Sequence, residues 1–92
     1  METEEVKYLK MLKEVSSLIA TNNHTEARIV IAKFFGCRKY FEQLQDVEMA
    51  NNRTGYITEE LLKERSNITK RLFNRISFLF GEPIAKEVYS KL

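Results

Sequence analysis

The sequence is poor in the residues from which most catalytic and metal sites are built. It has one cysteine, Cys37, and one histidine, His24, so neither an internal disulfide nor a zinc site of cysteine and histidine ligands is available. Its three glycines lie far apart, which excludes a glycine-rich phosphate loop. No acidic cluster has the spacing of a calcium-binding loop. We therefore expect no catalytic residue, no cofactor and no metal, and interpret the protein as non-enzymatic.

Long apolar runs and a strong charge of one sign are also missing. No apolar run approaches the roughly 18 residues that a bilayer-spanning helix needs, so we expect no membrane partner. The acidic start at Glu2, Glu4 and Glu5 is the reverse of a basic secretory signal, and this predicts a cytoplasmic protein. The 15 basic and 13 acidic side chains leave a formal charge of +2, which implies no general attraction to nucleic acid or anionic lipid.

What the sequence does contain is enough apolar residues for one small core. Hydrophobic residues make up 43% and charged residues 30% of the 92 positions, a composition typical of a folded chain. A chain of this length builds one core, so we expect a single domain over residues 1–92. Apolar residues recur at helical spacing, and no pair of alternating segments predicts strands. The expected fold class is all-α.

Three long helices and one short helix follow from this spacing. The first covers residues 4–20, the second about 25–50 and the third 58–80. Gly81 ends the third helix, and Pro83 opens a short C-terminal helix, as expected of a glycine stop followed by a proline start. We therefore predict an antiparallel three-helix bundle with a short fourth helix across one end.

Polar segments separate the predicted helices. Asn23 or Thr25 supplies the N-cap of the second helix, and with Asn23 as the cap Glu26 completes a capping box. The polar segment 51–55 is the clearest loop and ends in a glycine that tolerates a positive φ. Thr58 caps the third helix.

Gly36 allows two interpretations of the second helix. The apolar residues Cys37, Phe41 and Leu44 keep their helical spacing through it, which favours one continuous helix. A glycine in a helix interior costs about 1 kcal/mol relative to alanine, so the alternative is a break at this residue.

The segment 31–37 resembles the middle of a helix-turn-helix motif, in which an alanine precedes a turn glycine by four residues and apolar residues flank both. The resemblance covers residues 25–47 and implies a DNA-binding regulator whose second helix carries Arg38 and Lys39 towards a major groove. Beyond the glycine the sequence departs from the motif. Glu42 stands at a position that the family fills with an apolar residue, and acidic side chains there repel phosphates.

We favour the continuous helix, whose apolar surface is wider than the roughly 100° stripe that one packed neighbour covers. A three-helix bundle of this length has a limited interior, so we predict a homodimer or higher oligomer. The residues expected to form the self-association or partner surface are Ile29, Val30, Phe34, Phe35 and Phe41. The function that follows is a small adaptor or regulatory protein that acts by contact with an unidentified protein.

Basic side chains are the remaining binding candidates. The residues expected to contact an anion or nucleic acid are Arg38, Lys39, Arg65, Lys70, Arg71 and Arg75; a solvated helix face is the alternative interpretation. Arg65 stands apart, because it lies within the apolar seam of the third helix, four residues after Leu61 and three before Ile68. Such a residue must reach solvent, pair with a carboxylate or meet a partner. The sequence offers three carboxylates for the pairing: Glu14, Glu42 and Glu48.

Overall fold

A computed structural model describes residues 2–92, and these residues form five α-helices. The helices are α1 (Glu4–Ala20), α2 (His24–Phe34), α3 (Arg38–Thr54), α4 (Glu59–Phe80) and α5 (Glu82–Tyr89). No strand occurs in residues 2–92, so the predicted all-α class is confirmed. Within the same residues, no helix is both long enough and apolar enough to cross a membrane.

The bounds of α1 and α4 agree with the sequence signals. Thr3 caps α1 by accepting a hydrogen bond from the N–H of Val6 at 3.2 Å. Thr58 caps α4 in the same way, with the N–H of Leu61 at 3.2 Å. Gly81, at φ +101°, ends α4 before α5 begins. The predicted first helix, third helix and short C-terminal helix are therefore confirmed.

The predicted capping box at the start of α2 is wrong. Asn23 stands at the N-cap, but its side chain makes no bond to the helix backbone and instead donates to Thr21 Oγ1 at 2.9 Å. Thr25, the other predicted cap, lies inside α2 and is buried. The cause is the end of α1, where Asn22 takes φ +64° and the N–H of Asn23 bonds to the carbonyl of Leu18 at 2.8 Å. This closing turn sets the direction of the Asn23 backbone.

The predicted second helix is wrong at Gly36, where the chain forms two helices, α2 and α3. Gly36 takes φ +70°, a left-handed conformation that other residues rarely adopt. The N–H of Cys37 bonds to the carbonyl of Ala32 at 2.9 Å, and the N–H of Gly36 bonds to that of Lys33 at 3.1 Å. These are the two hydrogen bonds of a Schellman cap. Gly36 is therefore the stop signal of α2, and the long helices number four instead of three.

The predicted loop at 51–55 is wrong for residues 51–54, which belong to α3. Helix α3 continues to Thr54, and only Gly55, at φ +79°, ends it. The hydroxyl of Thr54 donates to the carbonyl of Ala50, four residues earlier, at 3.2 Å. This bond gives the polar side chain a partner within the last turn of the helix, so the polar run does not unwind it.

Each helix contributes one face to a single core. Consecutive helices are the main packing neighbours, and α2 also touches α4. The residues at the centre of the core include Leu12 and Val15 of α1, Ala27 and Ile31 of α2, Leu44 and Val47 of α3, Leu72 and Ile76 of α4, and Ala85 and Val88 of α5. The contact between α2 and α4 places polar side chains of both helices beside one another, and these form the cavity described below.

Candidate functional site

Large apolar side chains are exposed where α4 ends and α5 begins. Phe78 is 80% exposed, and Leu79, Phe80 and Ile84 are exposed as well. We refer to these four residues as the α4–α5 corner. Phe80 is partly covered by Phe35, whereas Phe78 is flanked by Arg75 of its own helix.

A row of four aromatic rings begins at Phe80 of this corner and extends to α1. The ring of Phe80 lies 5.0 Å, centroid to centroid, from that of Phe35, which is buried at the turn between α2 and α3. Phe35 contacts Phe34 edge to face at 5.0 Å, and Phe34 contacts Tyr8 of α1 at 6.0 Å. Such ring pairs stabilise a fixed arrangement. Phe80 is therefore anchored to α1 and α2, whereas Phe78, about 200° away around the helix, is outside this row.

The residues predicted to form a self-association surface do not share one face. Ile29 and Phe35 are buried inside the chain, so neither is available to a partner; α3 turns back at Gly36 and the chain covers them itself. Val30 and Phe34 line an open groove of about 540 Å³ between α1 and α2. The Lys33 ammonium lies over the ring of Phe41, 5.1 Å from its centroid.

A separate cavity of about 340 Å³ lies between α2, α4 and the C-terminal segment. We call it the arginine cavity. Its polar lining consists of Arg28, Arg65, Ser66, Thr69, Lys70 and Tyr89. Leu62 and Leu92 complete the wall. Three of these side chains are cationic, three carry hydroxyl groups, and no acidic side chain is among them.

Two buried threonines hold the arginines in place. Arg28 Nε donates to Thr69 Oγ1 at 2.9 Å, and Arg28 Nη1 donates to the carbonyl of His24 at 3.0 Å. The Thr69 hydroxyl in turn donates to the carbonyl of Arg65 at 2.7 Å. Arg65 Nη1 donates to Thr25 Oγ1 at 3.3 Å. Side chains from α2 and α4 thus fix both guanidinium groups at the same cavity.

The two guanidinium groups are not matched by carboxylates. Within residues 2–92, neither group has a carboxylate oxygen within 4.0 Å, and the ion pairs that do form all join other residues. Burial and the charge of Arg65 lower the pKa of Arg28 to about 10, with the Tyr89 phenol acting in the opposite direction. Burial also lowers the pKa of Arg65, opposed by Glu48. Both groups stay protonated at neutral pH, so two cations share one partly desolvated cavity.

The other predicted basic residues lie elsewhere. Of the six, only Arg65 and Lys70 line the arginine cavity. Arg71 faces a different cavity on α4, and Arg75 lies beside the ring of Phe78, 5.6 Å from its centroid. The six residues therefore do not form one basic patch.

Arg28 is the cavity residue that the sequence analysis missed. The helical spacing could have indicated this position. Arg28 lies three residues after Thr25 and four before Ala32, and both of these residues are buried. Arg28 therefore lies within the buried seam of α2, as Arg65 lies within the apolar seam of α4. Of the three outcomes left open for Arg65, pairing with a carboxylate is not found within residues 2–92, where the side chain donates instead to the hydroxyl of Thr25.

The start of α3 has the geometry of a turn followed by a helix, but its exposed face carries mixed charge. Arg38 pairs with Glu42 at 3.0 Å, and Lys39 is exposed beside it. Glu42 and Gln45 are exposed, at positions where the helix-turn-helix family buries apolar residues. The buried residues of α3 are shifted along the helix by comparison with that motif.

In the part of the chain that the structure describes, residues 2–92, neither His24 nor Cys37 has a neighbouring acid or base that would make it a catalytic group. Burial and the charges of Arg65 and Arg28 lower the pKa of His24. Burial raises the pKa of the Cys37 thiol, which makes it a poor nucleophile at neutral pH. Across residues 2–92, no three acidic, histidine or cysteine side chains gather closely enough to hold a metal ion.

Comparisons with protein-family models, with curated proteins and with solved structures found no match for this chain.

Proposed function

We propose that this protein is a small non-enzymatic adaptor or regulator that acts by contact with other proteins, including a second copy of itself. The observation that carries the proposal is the α4–α5 corner. A single exposed apolar residue is ordinary on a protein surface, but neighbouring large apolar side chains typically mark an interaction site. We therefore propose this corner, and not the predicted surface on the second helix, as the contact site.

The side chains of the corner favour a second copy of this protein as the partner. Aromatic side chains are enriched in the cores of protein interfaces. Phe78, which is 80% exposed, supplies one here, while Phe80 is half-buried against Phe35. Arg75 and Glu82 add charges of both signs beside the apolar residues. A two-fold interface places the same patch on both partners, so a patch with both signs of charge can pair with itself.

Sedimentation velocity tests this proposal on three proteins, the wild type, Phe78→Ser and Tyr56→Ser. Tyr56 is 69% exposed, similar to Phe78, but precedes α4, and the helical residues 59–77 separate the two positions by about 29 Å. The wild type and Tyr56→Ser should sediment as species heavier than the 10.9 kDa monomer, and Phe78→Ser should dissociate. A wild type that stays a monomer of 10.9 kDa at tens of micromolar would contradict self-association. Equal effects of Phe78→Ser and Tyr56→Ser would show that the corner is not the contact surface.

DNA binding is the second candidate, because the break at Gly36 supplies the turn that this function needs. Arg38 and Lys39 then stand at the start of the helix that would enter the major groove. The acidic Glu42 paired with Arg38 opposes phosphate contact. Fluorescence anisotropy with random duplex DNA distinguishes the two functions. Binding that weakens steeply with salt and that Lys39→Ala reduces would support a DNA-binding regulator, whereas no binding at low salt would exclude it.

A further inference from the structure

We propose that the arginine cavity is a binding site for a small phosphate-bearing anion, held by the guanidinium groups of Arg28 and Arg65 and the ammonium group of Lys70. This inference is independent of the proposed function, because none of the four residues of the α4–α5 corner lines the cavity.

The first argument is the supply of unused hydrogen-bond donors. A guanidinium carries five N–H donors in a planar fork. Arg28 uses one donor for Thr69 and one for a backbone carbonyl, and Arg65 uses one for Thr25. The remaining donors of both groups have no partner within residues 2–92. Arginine forks bind phosphate oxygens in pairs, so two neighbouring forks match the several oxygens of one phosphate.

The second argument is the unbalanced charge. Arg28, Arg65 and Lys70 bring three positive charges to one cavity without an acidic side chain. Glu48 partly offsets the charge of Arg65, but it lines the neighbouring cavity, which Arg65 and Thr25 also line. Holding like charges together in a partly buried site is unfavourable. A dianion bound between them turns this repulsion into attraction, which favours phosphate over a singly charged carboxylate.

The third argument is size. A cavity of about 340 Å³ is at the small end of the range for ligand pockets. It has room for inorganic phosphate or for a small phosphate monoester, whose organic part would contact Leu62 and the ring of Tyr89. The hydroxyls of Ser66 and Tyr89 supply further donors at the wall.

Thermal unfolding with inorganic phosphate, compared with chloride at equal ionic strength, tests the site. We expect about 10 mM phosphate to raise the melting temperature of the wild type by about 4 °C or more. Arg28→Met should lose most of this rise; its melting temperature in chloride is its own reference, because the variant also loses the bonds to Thr69 and His24. Arg71→Met, on the same helix but outside the cavity, should keep the full rise.

Phosphate also stabilises proteins generally by exclusion from their surfaces, and the variants separate that effect. Equal rises in all three proteins would overturn the proposal. Glycerol phosphate, compared with inorganic phosphate, distinguishes a monoester ligand from the free ion. A rise with the singly charged acetate as large as that with phosphate would also contradict the proposed dianion chemistry.

Proton NMR of the single histidine gives a readout that does not depend on stability. His24 contributes its carbonyl to Arg28, and the charges of both arginines lower the pKa of its imidazole. Bound phosphate should therefore raise the pKa of His24 in the wild type and leave it unchanged in Arg28→Met. A His24 titration that is identical with and without phosphate, in the wild type, would overturn the site even if the variant does not fold.

Discussion

Arg28 Nε donates a hydrogen bond of 2.9 Å to Thr69 Oγ1, and so joins α2 to α4 across 41 residues of sequence. The same hydroxyl donates to the carbonyl of Arg65 at 2.7 Å. The Thr69 hydroxyl therefore holds the Arg28 side chain and is itself fixed by the backbone of α4, while the Arg65 guanidinium is held by Thr25. Because Thr69 is buried, water cannot easily replace either bond.

Replacing Thr69 tests this linkage. Thr69→Val keeps the shape of the side chain but leaves a partly buried guanidinium donor without its acceptor, so we expect a loss of about 1–3 kcal/mol in the free energy of unfolding. Thr69→Ser keeps the hydroxyl and should cost less, about 1 kcal/mol for the lost methyl group. Urea unfolding measures both. Equal losses for the two variants would show that the hydroxyl contributes nothing.

Gly36→Ala distinguishes the turn from a continuous helix by the sign of its effect. A Cβ at Gly36 would meet no atom within 4 Å, so only the left-handed backbone conformation opposes it. We expect a loss of about 1–2 kcal/mol. In an uninterrupted helix the same substitution would instead stabilise by about 1 kcal/mol. Urea unfolding decides, and a stabilised variant would contradict the break between α2 and α3.

Most of the helix bounds could be predicted because they depend on local signals. A threonine cap starts α4 and a glycine ends it, and both act through bonds within a few residues. The break at Gly36 could not be predicted from the spacing of the apolar residues. The Schellman turn happens to leave Cys37, Phe41 and Leu44 at helical spacing, although only two of them are fully buried. Periodicity alone therefore could not separate a turn from a continuous helix.

The arginine cavity was predictable only in part. Arg65 stands in an apolar seam, which indicated a constrained charge. Its neighbour Arg28 comes from 37 positions earlier in the sequence, and no local pattern states that α2 and α4 touch. Thr25 and Thr69 were equally hidden, since a threonine among apolar residues looks like a small core residue until its hydrogen-bond partner is known.

The caps of α4 and α2 should differ in their sensitivity to alanine. Thr58→Ala removes a bond to the N–H of Leu61 and should cost about 1 kcal/mol. Asn23→Ala removes no bond to the helix backbone, so we expect it to cost clearly less. Chemical unfolding of both variants measures the difference. A larger loss for Asn23→Ala would restore the predicted capping box.

The stability of the protein should fall in mild acid because of His24. Its folded-state pKa lies below the usual value of 6.5, owing to burial and to the charges of Arg65 and Arg28. Well above pH 6.5 the imidazole is neutral in both states and does not affect the free energy of unfolding. As the pH falls below that value the unfolded chain binds the proton more readily, so the free energy of unfolding decreases.

Urea unfolding of the wild type and His24→Gln between about pH 7.5 and about pH 5 isolates this contribution. The wild type should lose more stability on acidification than the variant. Parallel pH dependences for the two proteins would contradict the lowered pKa.

The claim that the protein acts through its α4–α5 corner is tested most directly by ¹⁵N NMR over a range of protein concentrations. Self-association through the corner should shift or broaden the amide signals of residues 76–84 as concentration rises, and leave those of residues 56–62, at the other end of α4, unchanged. Spectra that do not depend on concentration, or changes confined to Val30 and Phe34 in the groove between α1 and α2, would contradict the account.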